Sequence, residues 1–280
     1  MCIRDSGAPN QWRNDNGKLT RDIETAEYKA ALAYFRSLWD AGVIHPDTPT
    51  GGPPNGFYSE KHAFWPNSFI AYDFNWASAV KSDPQFKPTV ITPFSADGKA
   101  KPVYHTGLGE DGRTVLKKAS PERIKELLGI LDFWVAPFGS QENLLLNYGV
   151  KDVEYTFDAK GNPVQTPQGA KDMKNTYLWF QLVTPPDALY RPDLPGYAES
   201  AYKSQVESFA MALPNPIVGL YSKTDASQGT ALNRKVSDAV SSIAYGRETI
   251  SSWDQAVKDW KSGGGDTIRA EYQAALQAGG

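Results

Sequence analysis

A tryptophan that stands close to a carboxylate and an amide is the feature of the sequence with the clearest binding chemistry. The segment Ser68–Ser78 carries Asp73, Asn75 and Trp76 in its second half. Strand-favouring residues precede turn-favouring ones, so we expect a buried strand that leads into a polar turn. An aromatic ring beside polar groups suits a ligand with an apolar face and a hydroxyl-rich edge, such as a sugar ring. The alternative is that Trp76 is a core residue at the strand end.

A pair of acids could instead make the chain a sugar-active enzyme, because glycosidase chemistry requires only two carboxyl groups that meet in space. The candidate members are Asp73, Glu110, Asp111 and Glu142. Acidic side chains in turns and at helix ends are usually solvated, so a structural interpretation is favoured for all four. The enzyme stays the alternative function.

Three further patterns argue against a cofactor or a metal. Gly107–Gly112 matches the letters of a dinucleotide fingerprint, but a strand-like segment follows where that fingerprint requires a helix. Asn14–Gly17 resembles a calcium loop, but the first and last ligand positions around it are apolar, so a simple turn is predicted.

His45, His62 and His105 are far apart in the sequence and lack zinc-ligand spacing. His105 could line a pocket, but we expect a hydrogen-bonded structural residue. No cofactor and no metal are expected.

Composition limits the partners of the chain. Its 29 basic and 32 acidic residues are balanced, and no basic run suits a phosphate backbone, so nucleic acid is not an expected partner. The sequence contains no stretch of 18 consecutive apolar residues, so no membrane span is predicted. The single cysteine, Cys2, excludes an internal disulfide. The length of 280 residues allows one large domain or two lobes, and the 8 tryptophans favour ring-stacking surfaces.

Cap residues and apolar periodicity predict the elements that position these groups. A helix is expected after Thr25, and the best-marked helix follows Ser120-Pro121. The other predicted elements are a loop or hairpin at Trp12–Ile23, a short helix at Ser140–Gly149, a β-hairpin at Val153–Val164, and tail helices at Leu232–Gly246, Ser251–Trp260 and Thr267–Ala278.

The order of these features resembles that of a known family, the extracellular carbohydrate-binding proteins of ABC importers. A Trp-bearing strand end, an extended crossover and a Ser-Pro-capped helix follow one another as they do in the second half of those proteins. The tail is similar to the large lipoprotein branch of the family, and the resemblance runs from about Gly7 to Gly280. The segments that carry it are Asp73–Trp76, Leu116–Pro121, Phe138–Glu142, Asn147–Val150, Tyr245–Ile250 and Ser251–Tyr272.

The resemblance implies an α/β fold of the type II periplasmic-binding-protein kind, with two lobes that close by a hinge and with the N-terminal lobe incomplete in this fragment. Residues 1–6 are expected to be an artefactual prefix. Residues 7–105 would form the C-terminal lobe, with a sugar-facing strand end near 69–78. Residues 106–175 would return into part of the N-terminal lobe, and residues 176–280 would form a helical tail that packs mainly on the C-terminal lobe.

The resemblance also implies non-catalytic binding of an oligosaccharide for delivery to the permease subunits of an ABC transporter. It predicts a monomeric, extracytoplasmic lipoprotein at the cell surface or in the periplasm, although the signal and the lipid-bearing cysteine are absent from the sequence. A further alternative is that this fragment binds nothing by itself. The residues expected to bind ligand are Trp76, Asn75 and Asp73, followed by Trp65, Tyr104, Asn215, Tyr221 and Asn233.

One departure from the family affects this prediction. Maltodextrin-binding relatives carry a sugar-stacking tryptophan just inside the tail helix, and here that place falls near Asn233. Tyr221, which follows Pro214-Asn215-Pro216, is the candidate substitute for the missing ring.

Overall fold

A computed structural model of the chain describes residues 7–50, 55–58, 61–66, 68–80, 83–94, 101–109, 112–173, 182–183 and 188–279. The predicted prefix, residues 1–6, lies outside this part of the chain. Two compact units are present: the first comprises Met1–Gly109 and Ser200–Gly280, and the second comprises Glu110–Glu199. The assignment of these units to the two lobes of the family stays a prediction.

The described residues form helices and short strands. The strands are β1 (Trp12–Asp15), β2 (Lys18–Arg21), β3 (Tyr104–His105), β4 (Tyr155–Phe157), β5 (Pro163–Gln165) and β6 (Ala212–Leu213). The helices are α1 (Ala26–Asp40), α2 (Asn55–Tyr58), α3 (Phe69–Ala79), α4 (Pro121–Trp134), α5 (Gln141–Tyr148), α6 (Gly169–Asp172), α7 (Tyr197–Ala210), α8 (Thr230–Ala244), α9 (Trp253–Trp260) and α10 (Asp266–Ala278). In the part of the chain that the structure covers, none of the helices has the length and apolar character needed to cross a bilayer.

The first unit begins with an antiparallel hairpin of β1 and β2. Asn16 and Gly17 form its turn with φ angles of 53° and 89°, which favour an Asn-Gly pair. The backbone N–H of Gly17 donates to the side-chain oxygen of Asn14 at 2.7 Å. The predicted turn is therefore confirmed, and it joins two strands.

The core of the first unit joins this hairpin to the C-terminal helices. The ring of Trp12 lies 6.0 Å from the rings of both Trp260 and Tyr272. Tyr28 of α1 stacks on Trp253 of α9, with 5.2 Å between centroids and 8° between planes. The core residues are Trp12, Leu19, Ile23, Ala31, Leu32, Phe35, Leu232, Ile243, Ala244, Trp253, Trp260, Ile268 and Tyr272.

A pair of parallel strands, β3 and β6, also belongs to the first unit. The side-chain amide of Asn10 donates to the carbonyls of Thr106 at 2.8 Å and Leu213 at 2.9 Å, so it joins the ends of both strands. The Nε2 atom of His105 lies 2.9 Å from the carbonyl of Ala8. The prediction of a structural, hydrogen-bonded His105 is confirmed.

Three of the predicted helix starts are capped as expected, whereas α9 begins at Trp253 without a side-chain cap. The side chains of Thr25, Ser120 and Ser140 each accept a hydrogen bond from the backbone N–H three residues later. These caps start α1, α4 and α5, and Pro121 occupies the first turn of α4. Apolar periodicity helps to predict α4, yet none of that helix's residues is buried.

The strand predicted within Ser68–Ser78 is wrong, because this segment forms the helix α3. The side chain of Ser68 accepts a hydrogen bond from the N–H of Ala71 at 3.3 Å and so caps the helix. Tyr72, Trp76 and Ala79 are buried, and their spacing of four and three residues places them on one helical face. Packing of that face overrides the strand preference of the aromatic residues, and the sugar-facing strand end expected near 69–78 is therefore a helix.

The second unit contains the predicted β-hairpin of β4 and β5. The Asp158 carboxylate accepts hydrogen bonds at 2.8 Å from the backbone N–H groups of Lys160 and Asn162 within its loop. A side-chain hydrogen bond from Asn162 is the main cause that lowers the pKa of Asp158. The residue before β4 also approaches α6 closely, since a Cβ atom at Gly169 would clash with the carbonyl oxygen of Glu154.

We predict that Gly265→Ala destabilises the first unit by about 1–3 kcal/mol, the usual cost of overpacking. A Cβ atom at position 265 would lie 2.5 Å from the buried ring of Trp260. Chemical denaturation of the variant measures the effect. Gly107→Ala is the control, because a Cβ atom there meets nothing within 4 Å. Equal stability of the two variants would contradict the packing of Trp260.

Candidate functional site

The carboxyl ends of β3 and β6 lie side by side at one edge of their two-stranded sheet. The two strands are parallel, with Tyr104 opposite Ala212 and His105 opposite Leu213. Ligands of open α/β sheets commonly bind outside the carboxyl ends of parallel strands. Because Asn10 is hydrogen-bonded to both strand ends, the next residue, Gln11, is held at the same edge.

Three polar side chains come together where Arg21 of β2 lies between Gln11 and Asn233 of α8. The guanidinium of Arg21 lies 5.4 Å from the ring centroid of Trp12. Its Nη1 atom donates to the side-chain oxygen of Gln11 at 3.5 Å, and its Nη2 atom donates to that of Asn233 at 3.4 Å. Both hydrogen bonds are long. The side chain of Arg21 is only 14% exposed, whereas Gln11 and Asn233 are exposed residues. A largely buried cation therefore faces solvent through two amides, and we call Gln11, Arg21 and Asn233 the amide–arginine cluster.

The backbone of Gln11 holds an unusual conformation. Its φ angle of 59° lies in the left-handed region, which is uncommon for a residue other than glycine. Hydrogen bonds hold the chain on both sides: Asn10 bonds to the strand ends, and the N–H of Asp22 donates to the carbonyl of Gln11 at 2.8 Å. Strained residues held in this way often occur at binding sites.

The carboxylate of Glu24 fixes the hairpin strand that carries Arg21. It accepts hydrogen bonds from the backbone N–H of Arg21 at 3.0 Å and from the guanidinium of Arg269. The ammonium of Lys261 lies 2.7 Å from its other oxygen. Burial raises the pKa of Glu24, but the hydrogen bonds from Lys261 and Arg21 and the positive charges of Arg269 and Lys261 together hold it below its ordinary value of 4.5.

A second anchored pair contacts Trp12 through the ring of Tyr272. The hydroxyl of Tyr272 donates to a carboxylate oxygen of Asp225 at 2.6 Å. Burial, followed by this hydrogen bond and the charge of Asp225, raises the pKa of Tyr272 far above its ordinary value. Tyr272 is therefore neutral and serves as a hydrogen-bond donor that holds α10 in place.

Only one of the predicted site residues, Asn233, belongs to the amide–arginine cluster. Tyr104 lies on β3 and is half-buried. Asn215 follows β6 and is buried, and its side-chain oxygen accepts a hydrogen bond from the N–H of Ile217 at 3.2 Å. Tyr221 presents its ring to solvent, with 70% of its surface exposed.

The other predicted residues lie on or near α3. Trp76 is only 6% exposed, and its ring meets that of Tyr72 edge-on at 5.5 Å. The side chains of Asp73 and Asn75 lie outside the described part of the structure. The role of these three residues in ligand binding stays a prediction.

Trp65 precedes α3 in the chain and is half-buried. Its ring centroid lies 6.2 Å from that of Phe57, which in turn meets Phe86 edge-on at 5.6 Å. Trp65 is therefore part of a small aromatic group, and its predicted contact with ligand stays a prediction.

The acids proposed for an enzyme do not form a described pair. Glu142 is exposed in the first turn of α5. Glu110 and Asp111 lie outside the described residues, as does the side chain of Asp73. The described side chains therefore give the carboxylate mechanism no support.

Two histidines that are distant in the sequence are neighbours in the structure. The rings of His45 and His62 lie 4.8 Å apart, so sequence spacing is a poor guide here. Nevertheless, the described residues contain no group of three or more histidine, cysteine or acidic side chains that could hold a metal ion.

Sequence reasoning missed Gln11 and Arg21. Neither carries a motif, and the contact between Arg21 and Asn233 spans 212 positions. Two local features of the sequence could have indicated these residues. Gln11 follows an asparagine, and Arg21 ends a hairpin strand and precedes the acidic residue Asp22.

The mixed α/β fold agrees with the fold class predicted from the sequence. It is similar to the solved structure of the alginate-binding protein AlgQ2, with a TM-score of 0.61 and 15% identity. That similarity covers 98% of this chain and 61% of the AlgQ2 chain. No family model matches the chain.

Two curated relatives come from Bacillus subtilis (strain 168). The polygalacturonan/rhamnogalacturonan-binding protein YtcQ is 27% identical over 97% of this chain. The lipoprotein LipO is 25% identical over 97% of it. The chain spans about half the length of these relatives, 55% of each. The predicted resemblance to carbohydrate-binding solute receptors is confirmed.

We predict that Glu24→Gln lowers the free energy of unfolding by about 1–3 kcal/mol at neutral pH, because a hydrogen-bonded charge is lost. The folded pKa of Glu24 is depressed, so its contribution is complete above the ordinary value of 4.5 and is lost as the pH falls through the folded pKa. Denaturation curves from neutral to acidic pH should show the difference between parent and variant shrink. A difference that is constant with pH would contradict the assigned role of Glu24.

Proposed function

We propose that the chain binds an oligosaccharide without cleaving it. The observation that carries this proposal is the 27% identity to the polygalacturonan/rhamnogalacturonan-binding protein YtcQ over 97% of the chain. The fold shared with the alginate-binding protein AlgQ2 gives further support. Both of these proteins are named for binding a polysaccharide, which favours binding over catalysis.

Exposed side chains of the first unit suit such a ligand. Sugar recognition combines planar polar side chains at the hydroxyl groups with aromatic rings on the C–H face. Gln11 and Asn233 supply exposed amides, and Tyr221 supplies an exposed ring. We therefore place Tyr221 and Asn233 first among the proposed ligand-binding residues. Trp76, Asn75, Asp73, Trp65, Tyr104 and Asn215 follow on the basis of the family resemblance.

We further propose that the chain works as the solute receptor of an ABC importer, with the membrane permease as its partner. The similarity to the lipoprotein LipO supports a lipoprotein outside the cytoplasm, at the cell surface or in the periplasm. A monomer suits this task, because one receptor then presents one ligand to the permease.

We predict that calorimetric titration of the purified chain with oligosaccharides gives saturable binding with a stoichiometry of one. Tyr221→Ala should weaken that binding by about 1–3 kcal/mol, the usual loss for an aromatic residue that stacks on ligand. Tyr202→Ala is the matched control, because Tyr202 is a 65% exposed tyrosine on α7.

Three outcomes are informative. Weaker binding by Tyr221→Ala alone supports both the function and the residue. Equal binding by both variants removes Tyr221 from the site and leaves the function intact. Titrations of galacturonan, alginate and maltodextrin oligomers that show no binding would contradict the proposed function.

A further inference from the structure

We propose that Arg21 anchors a carboxylate group of the bound sugar, so that the ligand is an acidic oligosaccharide rather than a neutral one. The inference rests on the proposed function and assigns its ligand class from the amide–arginine cluster. Its basis is the way in which each nitrogen atom of the Arg21 guanidinium is occupied.

Among the described residues, known contacts occupy the Trp12 face and the Nε atom of the Arg21 guanidinium. Trp12 covers one face of the guanidinium at 5.4 Å. A carboxylate oxygen of Asp22 lies 3.2 Å from the Nε atom. The two remaining nitrogens, Nη1 and Nη2, point to the exposed amides of Gln11 and Asn233. A ligand that reaches Arg21 therefore arrives at the end of the guanidinium, between these two side chains.

This end of the guanidinium matches a carboxylate. The Nη1 and Nη2 atoms of arginine can donate two parallel hydrogen bonds to the two oxygens of one carboxylate. The present partners at those atoms are neutral amide oxygens at 3.5 Å and 3.4 Å, and hydrogen bonds of that length are weak. A carboxylate would replace them with charge-assisted hydrogen bonds, and the displaced amides could donate their own N–H groups to the ligand.

The described acidic groups near the cluster have partners other than the Nη1 and Nη2 atoms of Arg21. Glu24 is occupied by Lys261 and Arg269, and it meets Arg21 only through the backbone N–H. Asp225 accepts the hydroxyl of Tyr272. The charge of Asp22 partly offsets that of Arg21, but it lies at Nε and leaves the Nη1 and Nη2 atoms for the ligand.

The position of the guanidinium is fixed before any ligand arrives. Glu24 holds the backbone of Arg21, Trp12 supports its side chain, and Asn10 holds the neighbouring Gln11 at the ends of β3 and β6. A donor group that is already ordered loses little side-chain freedom on binding, which favours affinity and specificity.

The test places a carboxylate of the protein itself in front of Arg21. Asn233→Asp and Gln11→Glu each preserve the accepting oxygen and add a negative charge, so the fold should be retained. Lys235→Gln is the control, since it lowers the net charge by the same one unit from an exposed position on the same helix. The probes are trigalacturonate, trimannuronate, fully methyl-esterified trigalacturonate and maltotriose, each titrated by calorimetry into the purified chain and its variants.

We expect the parent chain to bind at least one acidic trimer more tightly than both neutral probes. Asn233→Asp and Gln11→Glu should each weaken that binding by about tenfold or more, because the charge-assisted hydrogen bonds are lost to an internal partner. Lys235→Gln should change it by less than about twofold, in keeping with the small effect of one exposed charge.

Two other results would overturn the inference in distinguishable ways. If the parent chain binds a neutral probe as tightly as the acidic ones, or if Asn233→Asp and Gln11→Glu bind like Lys235→Gln, the carboxylate anchor is wrong and the proposed function stands. If the parent chain binds none of the four probes, the proposed function itself fails, and the inference fails with it.

Discussion

The packing of Trp12 against Trp260 and Tyr272 is the contact on which the first unit depends. It joins a hairpin near the start of the chain to helices near its end, and residues of α1 and α8 pack into the same core. Folding has to offset the entropy of closing that long loop, and the burial of large aromatic rings provides the stabilisation. The salt bridges of Glu24 with Lys261 and Arg269 reinforce the same junction.

This junction also explains where the candidate site lies. Trp12 packs in the core and its ring also lies beside the Arg21 guanidinium, so a core residue supports a polar side chain at the surface. Asn10 connects the same segment to the ends of two parallel strands. The exposed amides of Gln11 and Asn233 are therefore supported by structure on several sides, as a site that distinguishes between ligands requires.

Local signals in the sequence were sufficient for the capped helices and the hairpins. Thr25, Ser120 and Ser140 act within four residues of themselves, and the Asn16-Gly17 turn depends on its own φ angles. The strand prediction around Trp76 was wrong because the aromatic residues of that segment favour strands. Ser68 and the spacing of Tyr72, Trp76 and Ala79 nevertheless matched a capped helix. Contacts across 200 positions, such as that between Arg21 and Asn233, have no local signal.

The central claim is that the chain binds a carbohydrate and returns it intact. Native mass spectrometry of the purified chain with defined oligosaccharides tests both halves of that claim in one measurement. We predict a complex of one chain with one oligosaccharide, and release of a ligand whose mass is unchanged after prolonged incubation. Shortened oligosaccharides in excess of the protein, or spectra that show only the unliganded chain with every oligosaccharide, would contradict the account.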